Sequence, residues 1–303
     1  MMNILTPTPS TDCLSRREFS SVYPPAEDSF LFLDALESDV DFIRNRLKPA
    51  LSIEVGSGSG IISAFLSKIL GRACTYLCID VSFQACLATK EVFNENNVRL
   101  LDSICGNLFS SLRLSSLGFA DIVLFNPPYV PTEENELLDA KSTLTAAWAG
   151  GPKGRMVIDA FIKQVEPVLS KSGALYILLL RENDPDEVAN LIKSVTNGRL
   201  SESKCVLQRQ CGTEHLFVYR FYYPSVDPEI DMPTRLQSLN LFRALVKYIQ
   251  SLEHTDQKYL LDRVKMEFRM SNEKNDDEYS EFLYEVRIFN LLSCNFNREE
   301  RHC

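Results

Sequence analysis

Three short motifs in the 303-residue chain carry residue types and spacings that could do chemistry. The first is Glu54-Val55-Gly56-Ser57-Gly58-Ser59-Gly60. A glycine-rich bend between a strand and a helix lets the main chain come close to a ligand and aims free helix N–H groups at it. The second is Asp80, at the end of the next strand, where a carboxylate can accept both hydroxyl hydrogens of a ribose. Glu54 lies inside the first strand, and a buried carboxylate there calls for a strong donor. Gly56, Gly58, Gly60, Glu54 and Asp80 together point to a nucleoside cofactor. Their spacing suits a nicotinamide dinucleotide and S-adenosylmethionine equally.

The third motif separates the two. Asn126-Pro127-Pro128-Tyr129 follows the apolar run Asp121–Phe125. Open α/β sheets bind ligands at the carboxyl ends of their strands, so this tetrad and the glycine bend share one crevice. The two prolines fix φ and remove two N–H donors. The Asn126 side-chain oxygen and the Pro127 carbonyl remain as projecting acceptors for the two hydrogens of a planar –NH2 group. Tyr129 offers an aromatic wall to a flat substrate. An amide nitrogen is a poor nucleophile, and two acceptors that fix and pyramidalise it address that weakness. An activated methyl on a sulfonium then leaves the protein mainly the task of in-line positioning. The expected cofactor is therefore S-adenosyl-L-methionine, with Asn126, Pro127 and Tyr129 as catalytic residues.

The elements that must hold these residues alternate along the chain. Leu51–Val55, Tyr76–Ile79, Val98–Ile104, Asp121–Phe125 and Ala174–Leu180 read as strands; Ile61–Leu70, Ser82–Asn96, Arg155–Leu169 and Pro185–Thr196 read as helices. Such alternation predicts an α/β fold with a parallel sheet. Cys205–Gln210 and Glu214–Tyr222 are joined by a link that permits a hairpin but no crossover helix. A seven-stranded, mostly parallel sheet closed by an antiparallel hairpin is the pattern of class I, Rossmann-like methyltransferases. Residues 1–21 read as a flexible leader, 22–223 as the methyltransferase domain, 224–233 as a Pro-rich linker and 234–303 as a small helical appendix.

Composition narrows the class. The net charge is −9, from 32 basic and 41 acidic side chains. That argues against direct nucleic-acid binding, which needs a positive field to offset phosphates. Nine cysteines, none in a CxxC pair, read as reduced thiols, and no metal site is expected. The longest apolar run, Ala174 to Leu180, is too short to span a bilayer, so no membrane association is expected.

These residues resemble the N5-glutamine methyltransferases of release factors, the HemK-like family, and most of all its eukaryotic branch. Tyr23-Pro24-Pro25-Ala26-Glu27-Asp28-Ser29-Phe30 is similar to that branch's N-terminal signature, Glu54 to Gly60 to its cofactor loop and Asn126 to Tyr129 to its catalytic tetrad. Ala147-Trp148-Ala149-Gly150-Gly151, Gly154-Arg155 and Arg181-Glu182-Asn183 extend the similarity, which runs from about Val22 to Phe221. The resemblance implies that Tyr23, Glu27, Asp28, Asn107 and Leu108 join the cofactor site and that Pro128 and Trp148 join the substrate site. Asn107 stands where relatives usually carry Asp for the adenine amino group; its carbonyl oxygen can still accept. The resemblance further implies a cytoplasmic or nuclear enzyme that acts on the Gly-Gly-Gln glutamine of the class 1 translation release factor. It implies a small zinc-binding activator protein as heterodimer partner. Lysine methylation on histone has been attributed to the same branch.

In the appendix, Leu241-Phe242-Arg243, Tyr259, Arg263-Val264-Lys265 and Phe268-Arg269 resemble the LYR-motif adaptors, which implies acyl carrier protein as a partner. Two other readings stay open at this stage. One is adenine-N6 methylation of DNA or RNA, whose enzymes share the tetrad. The other is a non-enzymatic LYR-type adaptor.

Overall fold

A computed structural model describes residues 6–71, 74–98, 100–112, 118–133 and 149–223. The chain divides into two units, Met1–Asp227 and Pro228–Cys303. Every described residue belongs to the first. The expected linker and helical appendix, with its LYR-like motif, lie outside the described residues, as does Trp148.

Seven strands form one sheet: β1 Leu51–Val55, β2 Thr75–Asp80, β3 Leu100–Cys105, β4 Ala120–Phe125, β5 Leu169–Leu180, β6 Glu202–Cys211 and β7 Glu214–Tyr222. Their order is β3-β2-β1-β4-β5-β7-β6. All neighbours are parallel except β7, which runs antiparallel to both β5 and β6. Every residue of β1 is buried, which is why this strand reads as an unbroken run instead of alternating. The helices are α1 Glu27–Ser38, α2 Ile61–Leu70, α3 Phe83–Glu95, α4 Met156–Val165 and α5 Pro185–Val195. Helix α3 is capped by the Ser82 hydroxyl, which accepts the Ala85 N–H at 3.3 Å. Asp184 caps α5 through the Glu187 N–H, with Pro185 in the first turn. Phe125, the last residue of β4, stacks on Phe161 of α4 at 4.1 Å, and Phe109 lies 5.4 Å from the same ring. Burying a Phe ring contributes about 1.5–3 kcal/mol.

Two expectations are corrected. The helix expected over Arg155–Leu169 is shorter, because the Val168 carbonyl accepts the N–H groups of Phe119 and Ala120 and Leu169 already pairs with Ala120 in the sheet. The described part of the segment read as a flexible leader, residues 6–21, is instead packed: Phe19 is buried with Val22 and with Ala88 of α3, the Ser10 N–H donates to Asn96 at 2.9 Å, and the Cys13 N–H donates to Glu95 at 3.0 Å.

Candidate active site

Register brings the motifs together. Val55 pairs with Phe125 across β1 and β4, so Gly56 and Asn126 leave their strands side by side. This is where the strand order reverses, the point at which α/β sheets open a crevice. Gly56 has φ +66°, and a Cβ there would sit 3.8 Å from the Asn126 main-chain oxygen. That distance is ordinary contact, so the left-handed turn is what explains the glycine.

The bend and the acid form one unit. Asp80 accepts the Gly58 N–H through Oδ2 and the Ser82 N–H through Oδ1, both at 2.8 Å. Burial raises its pKa above the ordinary carboxylate value, and the N–H groups of Gly58, Ser82 and Val81 oppose that rise. Asp80 also pairs with Cys105, so the Cys105–Leu108 turn emerges beside it, and the Gly106 N–H donates to the Asp80 carbonyl at 2.8 Å. Asn107 is exposed on this turn and Leu108, at φ +50°, is buried. Glu54 is 1% exposed and accepts the Ser63 N–H, in the first turn of α2, at 3.0 Å. The donor called for there is this main-chain group. Burial pushes the Glu54 carboxyl up to about 8, against the Ser63 hydrogen bonding and with a smaller push from Asp80.

In the tetrad, Pro127 and Tyr129 are buried while Asn126 and Pro128 are half-buried. The Asn126 Nδ2 donates to Asp28 Oδ2 at 2.8 Å. The Asn126 oxygen, expected to project into an open cleft, is shielded from bulk solvent and has no hydrogen-bond partner among the described residues. Next to the tetrad lies a cleft of about 550 Å³, lined by Tyr23, Glu27, Asp28, Tyr129 and the β6–β7 turn around Cys211 and Gly212. The structure thus groups Tyr23, Glu27 and Asp28 with Tyr129. Burial first, then the charges of Asp28 and Glu214, push the Tyr129 phenol well above its ordinary range. It stays protonated and cannot serve as a base.

A scaffold behind the tetrad escaped the sequence reading. Asn183, fully buried, donates Nδ2 to the carbonyls of Tyr129 and Lys153, both at 2.8 Å, and accepts the Leu180 N–H at 2.6 Å. Arg155 donates to the Asn183 carbonyl at 3.0 Å and to Asp159 at 2.7 Å. At Gly154 (φ +68°) a Cβ would overlap the Tyr129 carbonyl, and at Gly150 it would lie 2.6 Å from the Pro128 carbonyl. Similarity had marked these segments, but nothing in their composition says that they clamp Pro128 and Tyr129.

A seven-stranded sheet closed by an antiparallel pair, with a glycine bend and an Asn-Pro-Pro-Tyr turn at its switch point, defines a class I methyltransferase. The methyl donor of this class is S-adenosyl-L-methionine. Residues 31–158 match the model of the Methyltransferase small domain family. The human protein Methyltransferase HEMK2 is 37% identical over 214 residues, spanning 71% of this chain and 95% of the relative. The catalytic subunit mtq2 of the eRF1 methyltransferase of Schizosaccharomyces pombe is 33% identical over 226 residues, covering 71% and 95%. In a solved complex of E. cuniculi, Mtq2 stands with Trm112; it is 25% identical, covers 67% of this chain and 99% of that one, and gives a TM-score of 0.48. The chain belongs to the HEMK2/Mtq2 family of methyltransferases.

Proposed function

We propose that this chain transfers a methyl group to N5 of the glutamine in the Gly-Gly-Gln loop of the class 1 translation release factor. The supporting relatives include an enzyme named for action on eRF1. The observation that carries the reading is the asymmetric bonding of Asn126: its –NH2 is held by Asp28, while its oxygen has no hydrogen-bond partner among the described residues. A buried acceptor left unpaired costs about 1–3 kcal/mol. A carboxamide N–H brought to it removes that cost, and the neighbouring Pro127 carbonyl is assigned the second hydrogen. Asn126 and Pro127 thereby fix the plane of the amide, and Tyr129 and Pro128 wall its face. An amide N–H pair fits this acceptor set, and a hydroxyl or carboxylate acceptor would fill it less well.

The residues beside Asn126 fit S-adenosyl-L-methionine, which supplies an electrophilic methyl on a sulfonium when bound. The bend at Gly56, Gly58 and Gly60 offers close main-chain approach, Asp80 is assigned to the ribose hydroxyls, and Asn107 and Leu108 to the adenine. Glu54 shapes the floor of the bend. Glu27 and Asp28 of α1, with Tyr23 ahead of that helix, line the cleft beside Tyr129. A small zinc-binding activator protein completes the proposal as partner.

The test is transfer of label from the cofactor to a release factor, with and without the activator, using an acceptor whose loop glutamine is intact or replaced. Label should vanish with the glutamine. Label that persists would move the acceptor to another side chain, such as lysine, and label on DNA or RNA instead would favour adenine. Asn126→Ala should bind cofactor normally and lose turnover.

A further inference from the structure

We propose that Asp28 is a positioning residue that sets which end of the Asn126 amide faces the substrate. The inference rests on the assignment of Asn126 as the grip on the acceptor nitrogen. An Asn side chain is two-faced. A half-turn about its last bond exchanges an acceptor oxygen for a donor –NH2 at almost no change in shape. Toward a substrate carboxamide nitrogen only the oxygen can accept; the opposite orientation sets donors against donors and makes no bond. The selection therefore has to come from the protein.

Asp28 makes it. An ionised carboxylate has acceptors and no donor, so it can face only the –NH2 end. Asp28 is 6% exposed, sits in the first turn of α1, and receives Asn126 Nδ2 at 2.8 Å. The bond is charge-assisted and lies within a shielded site, where such bonds are at their strongest. It also polarises the amide, drawing positive charge to the nitrogen and negative charge to the free oxygen, which strengthens that oxygen as an acceptor. Further along the same helix, Asp34 pairs with Arg209 of β6. No other described side chain is recorded in hydrogen bonding to the Asn126 side chain.

The experiment uses the full chain co-purified with its activator, the release factor as acceptor, and four variants: Asp28→Asn, Asp28→Ala, Asn126→Ala and Asp28→Asn/Asn126→Ala. Asp28→Asn keeps the volume and removes the charge and with it the one-way selection, and thermal unfolding verifies that each variant is folded. Asp28→Ala should lower kcat roughly tenfold or more, with Asp28→Asn between it and wild type. The KM for release factor and the calorimetric Kd for S-adenosylmethionine should move less than about twofold, because the lost contact acts on the reacting geometry. The double variant should be no slower than Asn126→Ala, because Asp28 acts through Asn126. A rise in cofactor Kd with normal kcat at saturation would overturn the proposal in favour of a cofactor ligand. Multiplying losses in the double variant would overturn it too, as would normal turnover in both Asp28 variants. Normal turnover in Asn126→Ala would instead remove the underlying assignment, a result distinct from failure at Asp28 alone.

Discussion

The side-chain amide of Asn183 donates to the main-chain carbonyl of Tyr129 at 2.8 Å, tying the end of β5 to the tetrad after β4. The same side chain satisfies the Lys153 carbonyl and the Leu180 N–H, so three main-chain groups depend on one residue. Asn183→Ala strands all three, and two of them, the Tyr129 carbonyl and the Leu180 N–H, are in buried bonds. We expect a loss of about 2–4 kcal/mol in denaturant unfolding. Turnover should fall as the tetrad relaxes, while cofactor affinity holds. Unchanged unfolding would show that the three groups find other partners.

Gly154 occupies a left-handed turn with the Tyr129 carbonyl where its Cβ would be. Gly198, also at positive φ (+76°), has nothing within 4 Å of that position. The pair separates backbone strain from collision. Gly198→Ala should cost about 1 kcal/mol, the strain of a left-handed alanine, and leave methyl transfer intact. Gly154→Ala adds an overlap with the carbonyl, so it should be the more destabilising and should displace Tyr129. Equal costs for the two, with equal activity, would mean that the carbonyl moves aside freely.

How much of this was legible in the sequence depends on whether the information is local. Leu51–Val55 and Glu214–Tyr222 could be read to the residue, because burial on both sides and a two-strand link leave their marks on a few consecutive positions. Gly56 and Asp80 could be read because the bend and the strand end are local too. The Asp28–Asn126 bond spans 98 residues and the Asn183–Tyr129 bond spans 54. Neither residue type announces its partner at such distance. The packing of Phe19 and Val22 was hidden for the same reason, since a Ser/Thr-rich composition says nothing of two apolar residues that find α3.

Asp80 already accepts a main-chain N–H on each of its oxygens, from Gly58 of the bend and from Ser82 ahead of α3, and this shapes the effect of changing it. Asp80→Ala should raise the Kd for S-adenosylmethionine roughly tenfold to a hundredfold, through lost ribose bonding and a loosened Gly58. Asp80→Asn should be no better than alanine. Its –NH2 must face one of two N–H donors, Gly58 or Ser82, whichever way it turns. Calorimetry on the two variants measures this, and unchanged affinity would take the ribose from Asp80.

Glu54 makes stability depend on pH with a defined sign. Its carboxyl titrates at about 8 in the fold against an ordinary 4.5. Between those values the folded chain holds a proton that the unfolded chain has released. The contribution of Glu54 is therefore constant below about pH 4.5, declines as pH rises through the window, and levels off above about 8. Within the window the slope approaches about −1.4 kcal/mol per pH unit. Glu54→Gln removes the titration while keeping an oxygen for the Ser63 N–H. The difference in unfolding free energy between wild type and Glu54→Gln, measured by denaturant at several pH values, should shift steadily against wild type across the window and become flat beyond it. Other titrating groups cancel in that difference, so its slope reports Glu54 alone. A flat difference throughout would mean that the carboxylate is already ionised in the fold, with a donor strong enough to hold its charge.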